Sequence, residues 1–396
     1  MKYIHRKMEE TLNIYLNSFP VTGITGPRQS GKSTMLKKTL GDSYEYVTFD
    51  DPMTLDFFTS DPRGFLKRYS NNIIFDEVQK AGQLFNYIKI EVDNDRDNYG
   101  KYILTGSSQF SLLKQITESL AGRIGLLSLL PFQFEEIEPH NRDKQILFGS
   151  YPELVMRNYN ESSIWYAAYI NNYIERDVRS LYNIGNLRDF QKLIQLLAAR
   201  VSQELNFSRL AGEIGVTVKT IQSWISVLET SYIIFLLPSY HKNLGKRIVK
   251  RPKIYFYDTG IINYLTGVTS KDILEKGPLA GPVFENYIVS EIKKAINHEN
   301  IKMNLYYFRT NLGLEADLVM EDREKRELSF IEIKNNNTAK YKMIENIIKL
   351  IELEKNSNSV LQFNTVNGKL VYRGKRSDEF GNTITFQNYK DFIVSV

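Results

Sequence analysis

Cysteine is absent from the 396-residue sequence, which excludes disulfide bonds and metal sites built from thiolates. No stretch approaches the roughly 18 consecutive uncharged apolar residues that a membrane-spanning helix needs. Residues 1–19 mix charged side chains into a helical pattern and contain no secretory apolar segment. The sequence also has no internal repeat and no long low-complexity tract. We therefore expect a cytoplasmic protein with no membrane partner.

The composition is that of an ordinary globular protein, with 42% hydrophobic and 24% charged residues. A chain of 396 residues is too long for one compact core, so two or three domains are expected. The net charge of +5 permits contact with nucleic acid without requiring it.

Short apolar runs alternate with helical patterns through the first 150 residues, which is typical of a parallel sheet covered on both faces. The predicted strands are residues 21–25, 46–49, 72–75, 102–105 and 124–130. Helices are predicted at 33–40, 62–69 and 112–120. Residues 1–150 are therefore predicted to form one α/β domain.

A phosphate-binding loop follows the first predicted strand. It reads Gly26-Pro27-Arg28-Gln29-Ser30-Gly31-Lys32-Ser33, with Thr34 next in the helix. The backbone N–H groups of such a loop hold the β-phosphate, Lys32 reaches the β- and γ-phosphates, and Ser33 ligates Mg²⁺. We expect the chain to bind ATP with Mg²⁺ at these residues.

Two carboxylates end the third predicted strand. Asp76 is expected to hold Mg²⁺ through water, and Glu77 to orient and deprotonate the attacking water. A hydrolytic base of this kind favours an ATPase over a kinase.

Four further residues are candidates for sensing or stabilising the γ-phosphate. Ser107, with Ser108 as the second choice, follows the neighbouring strand. Arg123 can supply charge to the transition state in cis or from a neighbouring subunit, and Arg176 can act as a sensor from the second domain. The alternative interpretation of the two serines is a Ser-rich turn. For Arg123 it is a surface arginine, and for Arg176 a charge pair on a helix surface. Arg28, within the loop, is a candidate for contacting phosphate, and a purely structural role is the alternative.

Residues 208–225 predict a helix, a tight turn at Gly215 and a second helix. With two predicted strands at 233–238 and 253–257, the segment resembles a winged helix. In a DNA-binding protein, four residues of the second helix would face the major groove: Thr217, Lys219, Thr220 and Gln222. The basic residues of the wing would meet phosphates: Lys242, Lys246, Arg247, Lys250 and Arg251. The alternative is a structural or protein-contact module.

The last region places acidic residues and a lysine in the order of a PD-(D/E)xK nuclease fold. Glu285 lies in a helix predicted at 279–295, Asp317 at a strand start, and Glu332 and Lys334 in the next strand. Glu332 and Lys334 share one face because strand side chains alternate. Asp317 and Glu332 are candidates for holding a second Mg²⁺ or Mn²⁺, with Lys334 polarising water. A salt-bridged fold without catalysis is the alternative. A helix is expected at 341–354, and Asn367 with Gly368 suggests a hairpin turn.

These motifs together resemble a large prokaryotic family of AAA-type ATPases with a C-terminal domain of unknown function, DUF4143. The shared elements are the phosphate loop at 25–33, Asp-Glu-Val-Gln at 76–79, Leu-Thr-Gly-Ser-Ser at 104–108 and Leu-Ala-Gly-Arg at 120–123. The resemblance implies an α/β protein with three parts. These are a P-loop AAA-type parallel-sheet domain at 1–150, a helical and winged-helix domain at 151–265, and a restriction-endonuclease-like DUF4143 domain at 266–396.

The function expected from the motifs and the resemblance is ATP hydrolysis coupled to DNA binding, with a nuclease-like C-terminal domain. The alternative is an ATP-dependent regulatory switch that binds a protein partner and carries an inactive nuclease fold. The oligomeric state is left open.

Overall fold

The computed structural model describes residues 3–70, 72–106, 119–171, 186–240, 251–355, 363–375, 377–381 and 383–396. In its N-terminal region a five-stranded sheet has the order β2-β3-β4-β1-β5, and all of its pairings are parallel. The strands are β1 (Val21–Thr25), β2 (Glu45–Thr48), β3 (Ile73–Asp76), β4 (Tyr102–Thr105) and β5 (Ile124–Ser128). The helices are α1 (Met8–Leu16), α2 (Lys32–Leu40), α3 (Pro52–Ser60), α4 (Pro62–Arg68) and α5 (Leu84–Asn94).

Both faces of this sheet are covered, as the apolar strands require. One face packs an aromatic cluster that includes Phe49, Phe65 and Phe75. The other packs α1 and α2 through residues such as Leu12 and Met35. The predicted parallel sheet is confirmed, with β5 ending at Ser128. The helix predicted at 112–120 lies almost wholly outside the described residues.

The middle of the chain is mainly helical. Its elements are α6 (Pro139–Phe148), α7 (Pro152–Met156), α8 (Ser162–Tyr169), α9 (Leu187–Ala199), α10 (Phe207–Ile214), α11 (Val218–Thr230), β6 (Ile234–Leu237), β7 (Lys253–Phe256), α12 (Thr259–Thr266) and α13 (Lys271–Lys276). Helix α10 ends because Gly215 adopts a φ of 87°, which glycine tolerates best. Thr217 then caps α11 by accepting a hydrogen bond from the Thr220 N–H at 3.1 Å. Strands β6 and β7 pair antiparallel.

The C-terminal region packs helices on a mixed six-stranded sheet of order β12-β13-β11-β10-β9-β8. Its elements are α14 (Ala280–His298), β8 (Met303–Arg309), β9 (Glu315–Asp322), β10 (Glu327–Lys334), α15 (Glu345–Lys355), β11 (Thr365–Tyr372), β12 (Asp378–Phe380), β13 (Ile384–Asn388) and α16 (Tyr389–Val394). Strands β10, β11 and β13 run parallel, whereas β8, β9 and β12 pair antiparallel.

The predicted hairpin turn at Asn367 and Gly368 is wrong, because both residues lie inside β11 and pair with Ser329 and Phe330 of β10. Helix α15 lies so close that a Cβ on Gly368 would be 2.2 Å from Ile347 Cγ2. The glycine therefore serves close packing, and burial of the strand overrides the local turn preference of the Asn-Gly pair.

The α/β fold class is confirmed, with a helical middle region and a C-terminal mixed sheet. The two boundaries between the three predicted domains remain predictions, because one hydrophobic cluster runs from Leu130 through the middle region to Ile393. In the part of the chain that the structure describes, no helix has the length and apolarity to cross a membrane.

Candidate functional site

One edge of the N-terminal sheet collects the predicted nucleotide-binding residues. Strands β1, β3 and β4 are parallel, so their carboxyl ends meet at the same edge, where ligands of parallel sheets bind. The phosphate loop follows β1, Asp76 ends β3, and Gly106 follows β4.

The two glycines of the loop are required by its backbone. Gly26 has a φ of 140°, and a Cβ there would lie 2.1 Å from the carbonyl oxygen of Leu129. Gly31 has a φ of 94° and stands immediately before the first turn of α2. A side chain at either position would strain the loop, so both glycines hold its shape.

Lys32 and Ser33 lie at the start of α2 and face the loop and β3, respectively. The buried Lys32 ammonium donates to the carbonyl oxygens of Gly26 at 3.0 Å and Pro27 at 2.9 Å. Ser33 Oγ donates to Asp76 Oδ2 at 3.1 Å. The structure thus brings together the hydroxyl and the carboxylate predicted to share Mg²⁺.

Tyr46 is a site residue that sequence reasoning missed. Its hydroxyl, on β2, also donates to Asp76 Oδ2. Burial, together with this hydrogen bond, raises the pKa of Tyr46 above its usual value, so the phenol stays a donor. The sequence marked Tyr46 only as the first residue of a predicted strand, and the pairing of that strand with β3 comes from the fold.

Glu77 adopts a left-handed backbone, with a φ of 55°. Its carboxylate accepts a hydrogen bond from Gln79 Nε2. The other end of that amide, Oε1, is buried without a hydrogen-bond partner among the described residues. It lies where a Cβ on Gly106 would be 2.2 Å away. Gln79 therefore holds the predicted base and offers an unused acceptor at the end of β4.

The other predicted loop residues differ in exposure. Pro27 and Ser30 are buried, Arg28 is half-buried, and Gln29 and Thr34 are exposed. Ser107, Ser108 and Arg176 lie outside the described residues, so their predicted sensing roles remain predictions.

Arg123 does not reach the phosphate loop within this chain. It precedes β5, whose first residue Ile124 pairs with Val21, whereas the loop follows Thr25 at the other end of β1. Four residue steps of a strand separate those ends by about 13 Å. The guanidinium instead binds both carboxylate oxygens of Asp93, at 2.7 Å and 3.0 Å. The predicted role in cis is therefore not supported, and a role in trans stays a prediction.

Two residues that no local sequence pattern predicted, Arg6 and Tyr232, tie the loop to other parts of the chain. Buried Arg6 donates to Ser30 O at 2.8 Å, Leu130 O at 2.7 Å and Glu136 Oε1 at 2.9 Å. The hydroxyl of Tyr232, between α11 and β6, lies 2.6 Å from Thr25 Oγ1, beside the first loop residue.

The contacts around Leu130 extend to α14 of the C-terminal region through His298. His298 Nε2 accepts the Leu130 N–H at 3.0 Å, and Nδ1 lies 2.8 Å from Gln133 Oε1. Burial, with help from Arg6 and Lys294, holds the pKa of His298 well below its usual value. The neutral ring can then accept at Nε2 and donate at Nδ1, as both contacts require.

The predicted groove-facing residues of α11 are exposed at Thr217, Lys219 and Gln222, and half-buried at Thr220. The Thr217 hydroxyl is engaged in the helix cap, with Thr220 Oγ1 2.8 Å away. Of the predicted wing, Arg251 is described and exposed. The others lie outside the described residues: Lys242, Lys246, Arg247 and Lys250.

The four predicted nuclease-like residues converge in the C-terminal region. Lys334 contacts Glu332 and lies 3.7 Å from Asp317 Oδ2. Sequence reasoning missed a second lysine, Lys253 of β7, whose ammonium lies 3.2 Å from Glu285 Oε1 and 3.9 Å from Asp317 Oδ1.

Burial raises the pKa of Glu285 to about 7, against the opposing effect of Lys253. Burial and the neighbouring Asp317 carboxylate raise the pKa of Glu332 to about 8. Among the described residues, no group of three or more His, Asp or Glu side chains is arranged to hold a metal ion. The second metal predicted from the sequence therefore has no prepared site in this region.

Family models match three consecutive parts of the chain: an AAA domain over residues 18–138, a domain of unknown function (DUF8612) over 140–272 and a domain of unknown function (DUF4143) over 280–392. The AAA match includes the phosphate loop, Asp76 and Glu77 and supports ATP binding. The DUF4143 match includes the converging carboxylates and Lys334.

Relatives are found in bacteria and archaea. The chain is 30% identical over 308 residues to the uncharacterized protein Rv2008c of Mycobacterium tuberculosis, covering 77% of this chain and 68% of that protein. It is 22% identical over 398 residues to the uncharacterized protein MJ1544 of Methanocaldococcus jannaschii, covering 92% and 86% respectively. The Walker-type ATPase PABY2304 of Pyrococcus abyssi aligns with a TM-score of 0.47 and 14% identity, over 65% of this chain and 94% of that one.

Proposed function

We propose that this chain, which belongs to the family that joins an AAA-type ATPase domain to a DUF4143 domain, hydrolyses ATP with Mg²⁺ and couples hydrolysis to DNA binding. The observation that carries the proposal is the 3.1 Å hydrogen bond between Ser33 Oγ and Asp76 Oδ2. It places a hydroxyl and a carboxylate beside the loop that holds Lys32.

The residues at this edge fit a Mg²⁺-nucleotide. Mg²⁺ prefers oxygen ligands and keeps several waters, so Ser33 and Asp76, with phosphates and water, suffice to hold it. A cage of three protein carboxylates is not needed. When bound, the ion neutralises charge that develops on the phosphates, and Lys32 adds a second positive charge.

Glu77 is the group proposed to take a proton from the attacking water. Its carboxylate is held by the Gln79 amide, which removes the need to orient it during the reaction. Gln79 Oε1 is a buried acceptor without a partner among the described residues, so it can receive a hydrogen bond from a water at this edge.

Coupling to the helix-turn-helix unit is proposed to pass through Tyr232. The residue follows α11, and its hydroxyl lies 2.6 Å from Thr25 Oγ1 and 2.8 Å from Ser128 Oγ. Thr25 directly precedes the phosphate loop. A change in the loop on nucleotide binding would therefore be felt at the carboxyl end of α11 without any intervening element.

DNA is the proposed partner of α11. Lys219 and Gln222 are exposed on this helix, and Arg251 is exposed just before β7. Exposed cations supply the salt-dependent part of DNA affinity, and a glutamine can contact base edges. A protein partner at the same surface is the alternative, in which ATP would operate a regulatory switch.

Cleavage by the C-terminal domain is the second activity that the motifs suggest. Convergence of Glu285, Asp317, Glu332 and Lys334 favours it, whereas Lys253 among the same carboxylates opposes it. A gel assay of duplex DNA with Mn²⁺, comparing wild type with Asp317→Ala and Lys334→Ala, tests this activity. Cleavage that survives both substitutions would show that this cluster is not the source.

The decisive experiment measures ATP hydrolysis with and without duplex DNA. We expect hydrolysis that is stimulated by DNA and lost in Lys32→Ala and Glu77→Gln. Lys38→Ala, an exposed lysine of the same helix, is the matched control and should behave as wild type. Hydrolysis unaffected by Lys32→Ala would overturn the site assignment.

Separate arms distinguish the partner. Lys219→Ala and Arg251→Ala should weaken DNA binding and flatten its dependence on salt. Tyr232→Phe should retain basal hydrolysis and lose DNA stimulation. Absence of DNA binding at low salt, with hydrolysis intact, would favour the protein-binding alternative.

A further inference from the structure

The carboxylate cluster of the C-terminal region contains a cation supplied from outside its sheet. Lys253 opens β7 in the middle region, and its side chain is only 3% exposed. The ammonium lies 3.2 Å from Glu285 Oε1, 3.2 Å from Glu315 Oε1 and 3.9 Å from Asp317 Oδ1. Three carboxylates, from α14 and β9, therefore surround one lysine.

The rest of the cluster is held by fixed donors. Asp317 Oδ2 accepts the Ile333 N–H at 2.8 Å, and Tyr255 OH donates to Glu285 Oε1 at 2.6 Å. Lys334 pairs with Glu332 through Oε1. The remaining oxygen, Glu332 Oε2, is buried without a hydrogen-bond partner in the described part of the chain. Buried acceptors are nearly always satisfied, so this atom marks unused capacity for a ligand.

Distances distinguish an ammonium from a divalent ion here. The contacts of Lys253 at 3.2 Å to 3.9 Å exceed the 2.0–2.6 Å of Mg²⁺ or Ca²⁺ to oxygen by roughly 1 Å. A bare divalent ion and the lysine cannot occupy the same space, and their charges repel. The carboxylates would have to close around a smaller ion.

We propose that Lys253 is a built-in counter-ion that keeps this cluster free of metal, and that a divalent cation binds the carboxylates only when the ammonium leaves. The ligands of that latent site are Glu285, Asp317 and Glu332, with Glu315 at its edge. The middle region therefore controls whether a metal ion can enter the cluster, because Lys253 belongs to β7.

The test measures Mn²⁺ binding by electron paramagnetic resonance, without nucleotide, on the full chain. Asp76→Asn serves as the background to remove the predicted metal ligand of the phosphate-loop site. In this background we expect no Mn²⁺ bound at the C-terminal cluster. Adding Lys253→Met, which keeps most of the side chain and removes its charge, should produce Mn²⁺ binding at least about tenfold tighter than the detection limit set by the background protein.

Two further variants decide whether the gained ion sits in the cluster. Asp317→Asn added to Lys253→Met should abolish the gained binding, and Lys253→Arg, which retains the charge, should not gain it. Circular dichroism and thermal unfolding confirm that each variant is folded.

Two results would overturn the proposal. One is Mn²⁺ binding by the background protein that Asp317→Asn removes. The other is a folded Lys253→Met protein that gains no binding. The first result needs no substitution of Lys253, so it would overturn the proposal even where Lys253→Met fails to fold; Lys253→Gln, which keeps a polar side chain without the charge, then replaces Lys253→Met in the second arm.

Discussion

The phosphate-loop edge of the N-terminal sheet and the carboxylate cluster of the C-terminal sheet use similar side chains in different ways. At the first, Asp76 accepts hydrogen bonds from two hydroxyls, Ser33 and Tyr46. At the second, Asp317 faces the ammoniums of Lys253 and Lys334. Neutral donors leave a carboxylate its charge for a metal ion, whereas lysines neutralise it within the protein. What faces a carboxylate therefore matters more than its position after a strand.

The largest effect is expected at the phosphate-loop edge, on the rate of ATP hydrolysis. Glu77→Gln should lower the kcat of ATP hydrolysis about 10³-fold while leaving ATP affinity near wild type, because a general base is lost and the loop is not. Steady-state hydrolysis and nucleotide titration provide the measurements. Glu45→Gln, an exposed carboxylate on the same sheet, is the control. Wild-type turnover in Glu77→Gln would remove it as the base.

Buried cations provide the next contrast, this time in stability. Arg6→Met removes the cation that pairs with Glu136, whose side chain is only 1% exposed. The substitution should lower the free energy of unfolding by about 3 kcal/mol, because it leaves a buried carboxylate without its partner. Lys253→Met should cost less at pH 7, because the pKa of Glu285 is already about 7 and the carboxyl can take up a proton. Urea unfolding of both variants measures the difference. Equal losses would contradict the view that the C-terminal carboxylates can be neutralised by protons.

A smaller effect is expected at the residue that positions Glu77. Gln79→Leu should lower kcat about tenfold, near 1.4 kcal/mol, with KM unchanged, since the amide orients the base and does not bind nucleotide. The matched control is Gln83→Leu, at an exposed position before α5. A rise in KM without a fall in kcat would assign Gln79 to nucleotide binding instead.

The nucleotide-binding edge could be predicted from sequence because its elements are short and local. A glycine-rich loop and an apolar strand ending in Asp76 and Glu77 place their side chains through backbone geometry alone. The parallel sheet follows from buried strands separated by helices. Gln79 was within a recognised element, yet its contact with Glu77 depends on the turn after β3.

The contacts that join distant segments could not be predicted. Arg6 and Glu136 are 130 positions apart, and Lys253 meets Glu285 and Asp317 only when β7 packs against α14 and β9. Nothing in the local pattern marks such pairs. The hairpin turn predicted at Gly368 was wrong for a related reason, because the close packing of α15, and not a turn, requires the glycine.

The smallest effect compares the pH response of the two regions. The pKa of His298 is depressed by burial and by the nearby Arg6 and Lys294, so the unfolded chain binds a proton more readily than the folded one. The stability this ring contributes is present above its ordinary pKa and is lost as the pH falls below about 6.5. The carboxyls of Glu285 and Glu332 have raised pKa values, so their contribution weakens as the pH rises.

His298→Gln isolates the first response. Between pH 6.5 and 5.5 the wild type should lose about 1 kcal/mol more unfolding free energy than His298→Gln, as measured by urea unfolding at both values. His140→Gln, at a ring 63% exposed, should follow the wild type. Because the carboxyls of Glu285 and Glu332 respond in the opposite direction, an acid-side loss that persists in His298→Gln must come from another group. That result would contradict the assignment of acid sensitivity to His298, which joins α14 to Leu130 and Gln133.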